Sequence, residues 1–477
     1  MVEGLNLSRN GAHARASLLL ALLPVLLLAP WRTSVMAASS LAPGHAPGED
    51  SPITVDQFHS PDPQLRHFMG IMLTENPAII QAEAQYRSGL QRIPQAVALP
   101  DPQLSYRYFV RSSETRVGPQ DQALDLNQAI PWAGKRRLQG ERAEEFAGSL
   151  AWRVRDIQRR LVAEMKTNYF HAGYIQEALT INREEVNLLR RFEEIALTRY
   201  ATGEGIQQSV IKVQTEITRL ADREISLRRQ LDIFTRRLAE LMGRPGSELL
   251  LVTVNLPFMD VQFDTGQLEE RALAGHPRVQ EIQRLVKADE LWTRRQRLES
   301  RPDFRFGLSY IDVGRREDIA GSLNPPENNG KDSVSLLVSL NLPIFRRRIR
   351  AGIAEARESA SSNQQALASV QDQLLYLVQE AVLRLQATGA QGQIYRDVLI
   401  PQAHESLASA EAAYTTNRLD FLDLLDAERI LFQVRLTYKR LLADYWIALA
   451  DIEQATGRAF PESDLPARNF GAEEDPS

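Results

Sequence analysis

Apolar residues recur along much of this chain at alternating steps of four and three. From Ile206 the series runs through Val210, Val213, Ile217, Leu220, Leu227, Leu231, Phe234, Leu238 and Leu241, with a polar residue only at the Glu224 position. A period of 3.5 predicts a helix that winds left-handedly on a partner. The series returns in register as Leu424, Ala427, Leu431, Val434, Tyr438, Leu441, Tyr445, Ala448, Ile452 and Ala455. A partner precedes each copy. Ala133 to Ala201 is free of proline and carries Val154, Ile157, Leu161, Ala172, Ile175, Leu179, Val186, Leu189, Ala196 and Tyr200. As one helix it would extend roughly 100 Å. Its counterpart, Arg346 to Thr416, contains Gly389, Gly392 and Pro401, where a bend is expected.

A second pattern has period two. Leu104, Tyr106, Tyr108 and Val110 alternate with Gln103, Ser105 and Arg107, and Leu124 and Leu126 with Asp125 and Asn127. Phe304, Phe306, Leu308 and Tyr310 alternate with Arg305, Gly307 and Ser309, and Val334, Leu336, Val338 and Leu340 with Ser333, Ser335 and Ser339. Strands of about ten residues with one apolar face match outer-membrane barrel strands, although a half-buried soluble sheet shares the pattern. The polar connections 111–121 and 312–332 are expected to be external loops. Four strands cannot close a barrel, and an open edge cannot face lipid, so the chain must pool its strands with other copies of itself.

The two patterns are written twice. Tyr200 maps to Tyr414 and Gly243 to Gly457 with one offset of 214. Asn76-Pro77 is echoed by His276-Pro277, Pro100-Asp101 by Pro302-Asp303, and Leu126-Asn127 before Pro131 by Leu340-Asn341 before Pro343. The chain therefore divides into a first repeat, 67–260, and a second, 261–458. Residues 1–37, with Arg9 and Arg15 before the apolar stretch Leu18–Trp31 and Val35-Met36-Ala37 after it, read as a secretory signal peptide. Residues 38–66 read as an extended leader without a core, and 459–477 as a polar tail.

Composition narrows the chemistry. Loss of the signal peptide would move the net charge from −5 to about −7, which argues against a nucleic-acid surface. The absence of cysteine excludes disulfides, thiolate chemistry and lipid attachment at an N-terminal Cys. No catalytic motif is present. Gly203-Glu204-Gly205 follows a helix and reads as a tight turn, and the histidines lack ligand spacing, so no catalytic, cofactor or metal site is assigned. Trp132, before Ala133-Gly134-Lys135-Arg136-Arg137, reads as an anchor at a membrane interface, with ordinary helix-start charge as the alternative. Asp423 and Asp426 fall on one helical face just after Asn417-Arg418-Leu419-Asp420. Alone they are a solvated helix start, but in a symmetric ring they would form a ring of carboxylates around an axis.

These residues together resemble the TolC family of bacterial outer membrane efflux proteins. The resemblance rests on the duplicated order of helix, two strands and long helix, on Tyr200 through Gly205, on Tyr414 through Asp426, and on Leu126-Asn127-Gln128-Ala129-Ile130-Pro131. Gly203 through Gln208 and Pro131 through Arg136 are most similar to the CzcC/CusC heavy-metal branch. The resemblance implies a mainly helical homotrimer with a shared twelve-stranded β-barrel in outer-membrane lipid and a helical barrel crossing the periplasm. It further implies tips that meet a periplasmic adaptor (membrane fusion) protein and an inner-membrane pump of the RND type. Gly203, Glu204, Gly205, Asn417, Arg418, Leu419 and Asp420 would form those tips, and Asp423 and Asp426 the channel aperture. The first tip departs from the family, which often has Asp where Ser209 stands here, with Lys212 following. The expected function is a passive exit duct without enzymatic activity, with metal cations among its cargo. A type I protein-secretion duct and a soluble periplasmic coiled-coil scaffold are the rivals.

Overall fold

The computed structural model describes residues 62–246, 263–416 and 418–457, together with Val55, Phe58, Ser60, Val252 and Phe258. The expected signal peptide, most of the leader, the tail and Asn417 lie outside the described residues. The first repeat comprises α1 (Pro63–Glu75), α2 (Pro77–Val97), β1 (Gln103–Thr115), β2 (Gly118–Ile130), α3 (Lys135–Ala201) and α4 (Gln207–Leu241). The second comprises α5 (Thr265–Gly275), α6 (Pro277–Arg297), β3 (Phe304–Val313), a short α7 (Ile319–Leu323), β4 (Ser333–Leu340), α8 (Arg346–Ile394), α9 (Ile400–Thr415) and α10 (Phe421–Thr456). A π-turn at Tyr395–Leu399 joins α8 to α9 where the bend was expected. Pro401 cannot donate a main-chain hydrogen bond, and the π-turn absorbs the disruption.

The repeated sequence anchors meet in space. Asn76 caps α2 by accepting from the Ala78 N–H and donates to the Leu241 carbonyl at 2.7 Å. Gly243 follows with φ +73°, and a Cβ there would lie 2.8 Å from the Glu75 carbonyl. In the second repeat His276 caps α6 through Nδ1, and Gly457, with φ +68°, lies against the His276 backbone. Left-handed backbone pressed on a helix cap explains why glycine stands at both positions.

The helical seam is realised by α3 packing on α2, α4, α6 and α10, and by α8 packing on α6 and α10. One core gathers Leu65, Met69, Tyr169, Phe170, Leu238, Val378, Trp446 and Ile452. A second, nearer the tips, gathers Leu189, Phe192, Val213, Leu407, Tyr414, Phe421 and Leu424. Between the elements of the first core Lys166 and Glu453 form a buried ion pair. Two seam positions depart from the pattern. Ile206 caps α4 and is exposed, and Tyr200 is exposed although its repeat partner Tyr414 is buried.

The four strands form one antiparallel sheet in the order β1-β2-β3-β4, with β1 and β4 at the edges. The register places Tyr106, Leu124, Tyr310 and Val334 in one row, and Leu104, Leu126, Leu308 and Leu336 in the next. The intervening row on the other face is Ser105, Asp125, Ser309 and Ser335. Leu337 interrupts that polar face, lying across from Gly307, whose missing side chain leaves room between Leu337 and Asn127.

Two boundaries shift. The connection 111–121 is largely strand, since β1 runs to Thr115 through a bulge and the hairpin turns at Arg116 and Val117. Polar side chains there serve the sheet, with Ser112 Oγ donating to Asp121 at 2.6 Å. The leader is shorter than its composition indicates. Asp62 caps α1 by accepting from the Gln64 N–H, Pro63 opens the helix, and Leu65 is fully buried.

Candidate functional site

Each repeat ends in a helix hairpin, and the two tips are tied together. At the first tip the Arg199 carbonyl accepts from the N–H groups of Glu204 and Gly205, at 2.9 and 3.0 Å, and Gly203 adopts φ +78°. The Arg199 guanidinium crosses to the second tip, donating to the Tyr414 carbonyl at 2.7 Å and lying 4.4 Å from the Tyr414 ring centre. Tyr414 in turn meets Phe421 at 5.5 Å between ring centres. Arg199 therefore couples the tips alongside the apolar core beneath them, and nothing in its spacing marks it in the sequence.

Asp420 begins α10, its carboxylate accepting from the Phe421 N–H at 2.6 Å. Leu424 and Ala427 turn into the packed face, whereas Asp423 and Asp426 are exposed one helical turn apart. The two aspartates thus share a free face and could present charge to an opening. Arg418 is exposed and Leu419 half-buried, with the Arg418 N–H donating to Ala413 at 2.9 Å. Glu204 is exposed.

Two residues beyond Asp426, on the packed side of α10, buried acids lie among the helices. Glu428 (α10) and Glu185 (α3) are both buried, and Glu428 Oε1 has no hydrogen-bond partner. Arg223 reaches Glu185 at 3.4 Å, and Arg429 and Arg219 both hold Glu216 on α4. Burial raises Glu185 to about 7 and Glu428 to about 8, with the negative charges of Glu185 and Glu216 adding to the rise at Glu428. Such acids keep their protons in the folded chain at pH values where an unfolded chain would lose them. Their contribution therefore erodes stability as pH rises from about 4.5 towards 8. Glu428→Gln should flatten that dependence and stabilise the protein at pH 8 by about 2 kcal/mol. Thermal unfolding of both forms at pH 5 and pH 8 checks this, and an equal pH dependence in the two refutes it.

At the other end of α3, Trp132 stacks on Phe304 with ring centres 6.0 Å apart, and its main-chain N–H donates to the Asp303 carboxylate at 2.7 Å. Lys135, its side chain only 4% exposed, donates to both oxygens of Asp303 at 2.9 Å and lies 3.5 Å from Glu299. The acids offset a cation in the first turn of a helix, where the dipole disfavours it. Trp132 thus sits where strand passes into helix.

Among the described residues no group of His, Asp or Glu is placed to hold a metal ion. No described helix is long and apolar enough to cross a membrane.

Known proteins agree with this architecture. The chain is 23% identical to the cobalt-zinc-cadmium resistance protein CzcC of Cupriavidus metallidurans over 372 residues, 77% of this chain and 83% of that protein. Its fold superposes on VceC of Vibrio cholerae with a TM-score of 0.70 at 16% identity, covering 86% of this chain and all of the other. It superposes on CusC with a TM-score of 0.69 at 16% identity, covering 87% and 99% of the two chains. The family model described as outer membrane efflux protein matches residues 69–244 and 269–458, and the chain belongs to that family.

Proposed function

We propose that this protein is the outer-membrane exit duct of a tripartite efflux system, a homotrimer that conducts metal cations passively. The observation that carries the reading is the sheet. One of its faces is apolar and open, with Tyr106 63%, Leu336 84% and Val338 60% exposed, while the outer edges of β1 and β4 have no strand partner among the described residues. In water such a face and such edges would drive aggregation, whereas in lipid the face is matched and only closure with further copies satisfies the edges. The helical hairpins then extend into the periplasm, and the coupled tips of Gly203–Gly205 and Arg418–Asp420 meet an adaptor and, through it, an RND-type pump that supplies the energy. The expected signal peptide at residues 1–37 would direct its export. Trp132 anchors the periplasmic rim of the barrel.

Metal cargo rests on the relationship to a cobalt-zinc-cadmium resistance protein and on the exposed acidic pair, Asp423 and Asp426. Native mass spectrometry of detergent-extracted outer membranes should find a trimer. A soluble periplasmic monomer with its strand content intact overturns the duct. Deletion of the gene should sensitise cells to zinc, cobalt or cadmium. Loss of protein secretion with unchanged metal tolerance would favour the type I reading.

A further inference from the structure

Inside the chain, the end of β2 lies beside the start of β3, Ile130 across from Phe304, and Lys135 at the first turn of α3 closes on Asp303 there. The sequence repeat maps each part onto the second half. β2 corresponds to β4, β3 to β1, and Asp303 to Asp101. The start of α3 corresponds to the start of α8, with buried Leu138 matching buried Ile349, so Lys135 corresponds to Arg346. The mapped partners, however, lie on the two outer edges of the sheet. Within one chain they cannot meet as Lys135 and Asp303 do.

We infer that they meet between copies: the basic run Arg346-Arg347-Arg348 of one protomer receives Asp101 of its neighbour, an intermolecular counterpart of the Lys135–Asp303 lock. The inference rests on the trimeric reading given above and names the surface through which the copies join. In a ring of alternating strands β4 of one copy runs antiparallel to β1 of the next, the same relation that β2 has to β3. Three further observations support it. First, Arg346, Arg347, Arg348 and Asp101 are exposed, and none forms an ion pair among the described residues of its own chain. Second, three arginines open α8 against its dipole with no acidic residue in its first turn, whereas Lys135 is offset by Glu299 and Asp303. Third, Ile344 and Phe345, where Trp132 stacks on Phe304 in the first repeat, are 66% and 70% exposed. A neighbour's β1 would cover them.

The second junction is shorter. Gln128 and Ala129 have no counterpart between Asn341 and Pro343, and neither has Gly134 before the helix. Loss of two strand residues preserves the facing of the pleat. Arginine also reaches further than lysine and pairs with a carboxylate through two N–H groups.

The test begins with the parent protein in detergent, where native mass spectrometry reports whether a trimer exists. Its absence defeats the assembly reading itself. Given a trimer, Asp101→Lys should abolish its resistance to SDS at room temperature, and Asp101→Lys with Arg346→Glu should restore it. Because the chain has no cysteine, Asp101→Cys with Arg346→Cys adds one unambiguous pair. A short bifunctional thiol reagent should convert it to a covalent trimer, and neither single variant should be converted. A trimer that keeps its SDS resistance with Asp101→Lys, and that gives no covalent product from the double cysteine variant, overturns the lock while leaving the trimer standing.

Discussion

Val338→Arg should abolish insertion of the barrel. Val338 lies across from Phe306 on the sheet's apolar face. An arginine on that face costs up to about 2–4 kcal/mol, most towards the bilayer midplane, and a symmetric trimer would place one in every copy. Ser335→Arg, across from Ser309 on the opposite face, should insert normally, since that face carries Ser105 and Asp125 and would line water. The pair shares strand, helix content and added charge, so the comparison isolates the facing of the side chain. Urea-washed outer membranes probed for the two variants provide the measurement. Equal recovery of both would mean that the sheet does not present this face to lipid.

The same sheet shows what the sequence could and could not reveal. Alternation of Leu104, Tyr106 and Tyr108 with polar neighbours was sufficient to locate β1, because a pleat has period two. Its far end was hidden, since Ser112, Ser113 and Glu114 read as loop, yet Ser113 and Glu114 pair with Gln120 and Pro119 and Ser112 bonds across to Asp121. Leu337 breaks the alternation for a reason that lies in another strand, the empty place at Gly307. Local pattern carries facing, but the pairing that tolerates an exception is nonlocal.

The helices teach a related lesson. A 3.5 period identified the seams and the duplicated hairpins, because every seam residue repeats the same local relation. The charged groups within them had no such signature. Glu428 stands between buried Leu424 and Leu431 on α10, whereas a glutamate such as Glu405 on α9 is exposed. Its burial comes from the packing of α10 on α3, where Glu185 also lies, which no single-helix pattern encodes. Arg199 is comparable: at the end of α3 it satisfies the preference for a cation at a helix C-terminus, yet its guanidinium serves the second tip. Asp423 and Asp426 were legible because their relation is within one helix, i to i+3, and the structure leaves both exposed.

That exposed pair carries the remaining large effect. In a trimer each copy would bring Asp423 and Asp426 to the mouth of the tunnel, concentrating like charge where protein walls lower the local dielectric and strengthen its field. The ring would draw cations and hold multivalent ones most firmly. Asp423→Asn with Asp426→Asn should leave fold and assembly intact, because Leu424 and Ala427, not the aspartates, occupy the packed face. Single-channel recording in planar bilayers should then show reduced cation preference. Block by a divalent or trivalent cation should weaken by about tenfold, roughly 1.4 kcal/mol in binding. Asp222→Asn on the exposed side of α4 serves as the control, since it removes one carboxylate per copy away from the tips. If the double variant assembles as the parent does and its selectivity and block differ no more than the control's, the two aspartates are an ordinary solvated helix start and the aperture lies elsewhere.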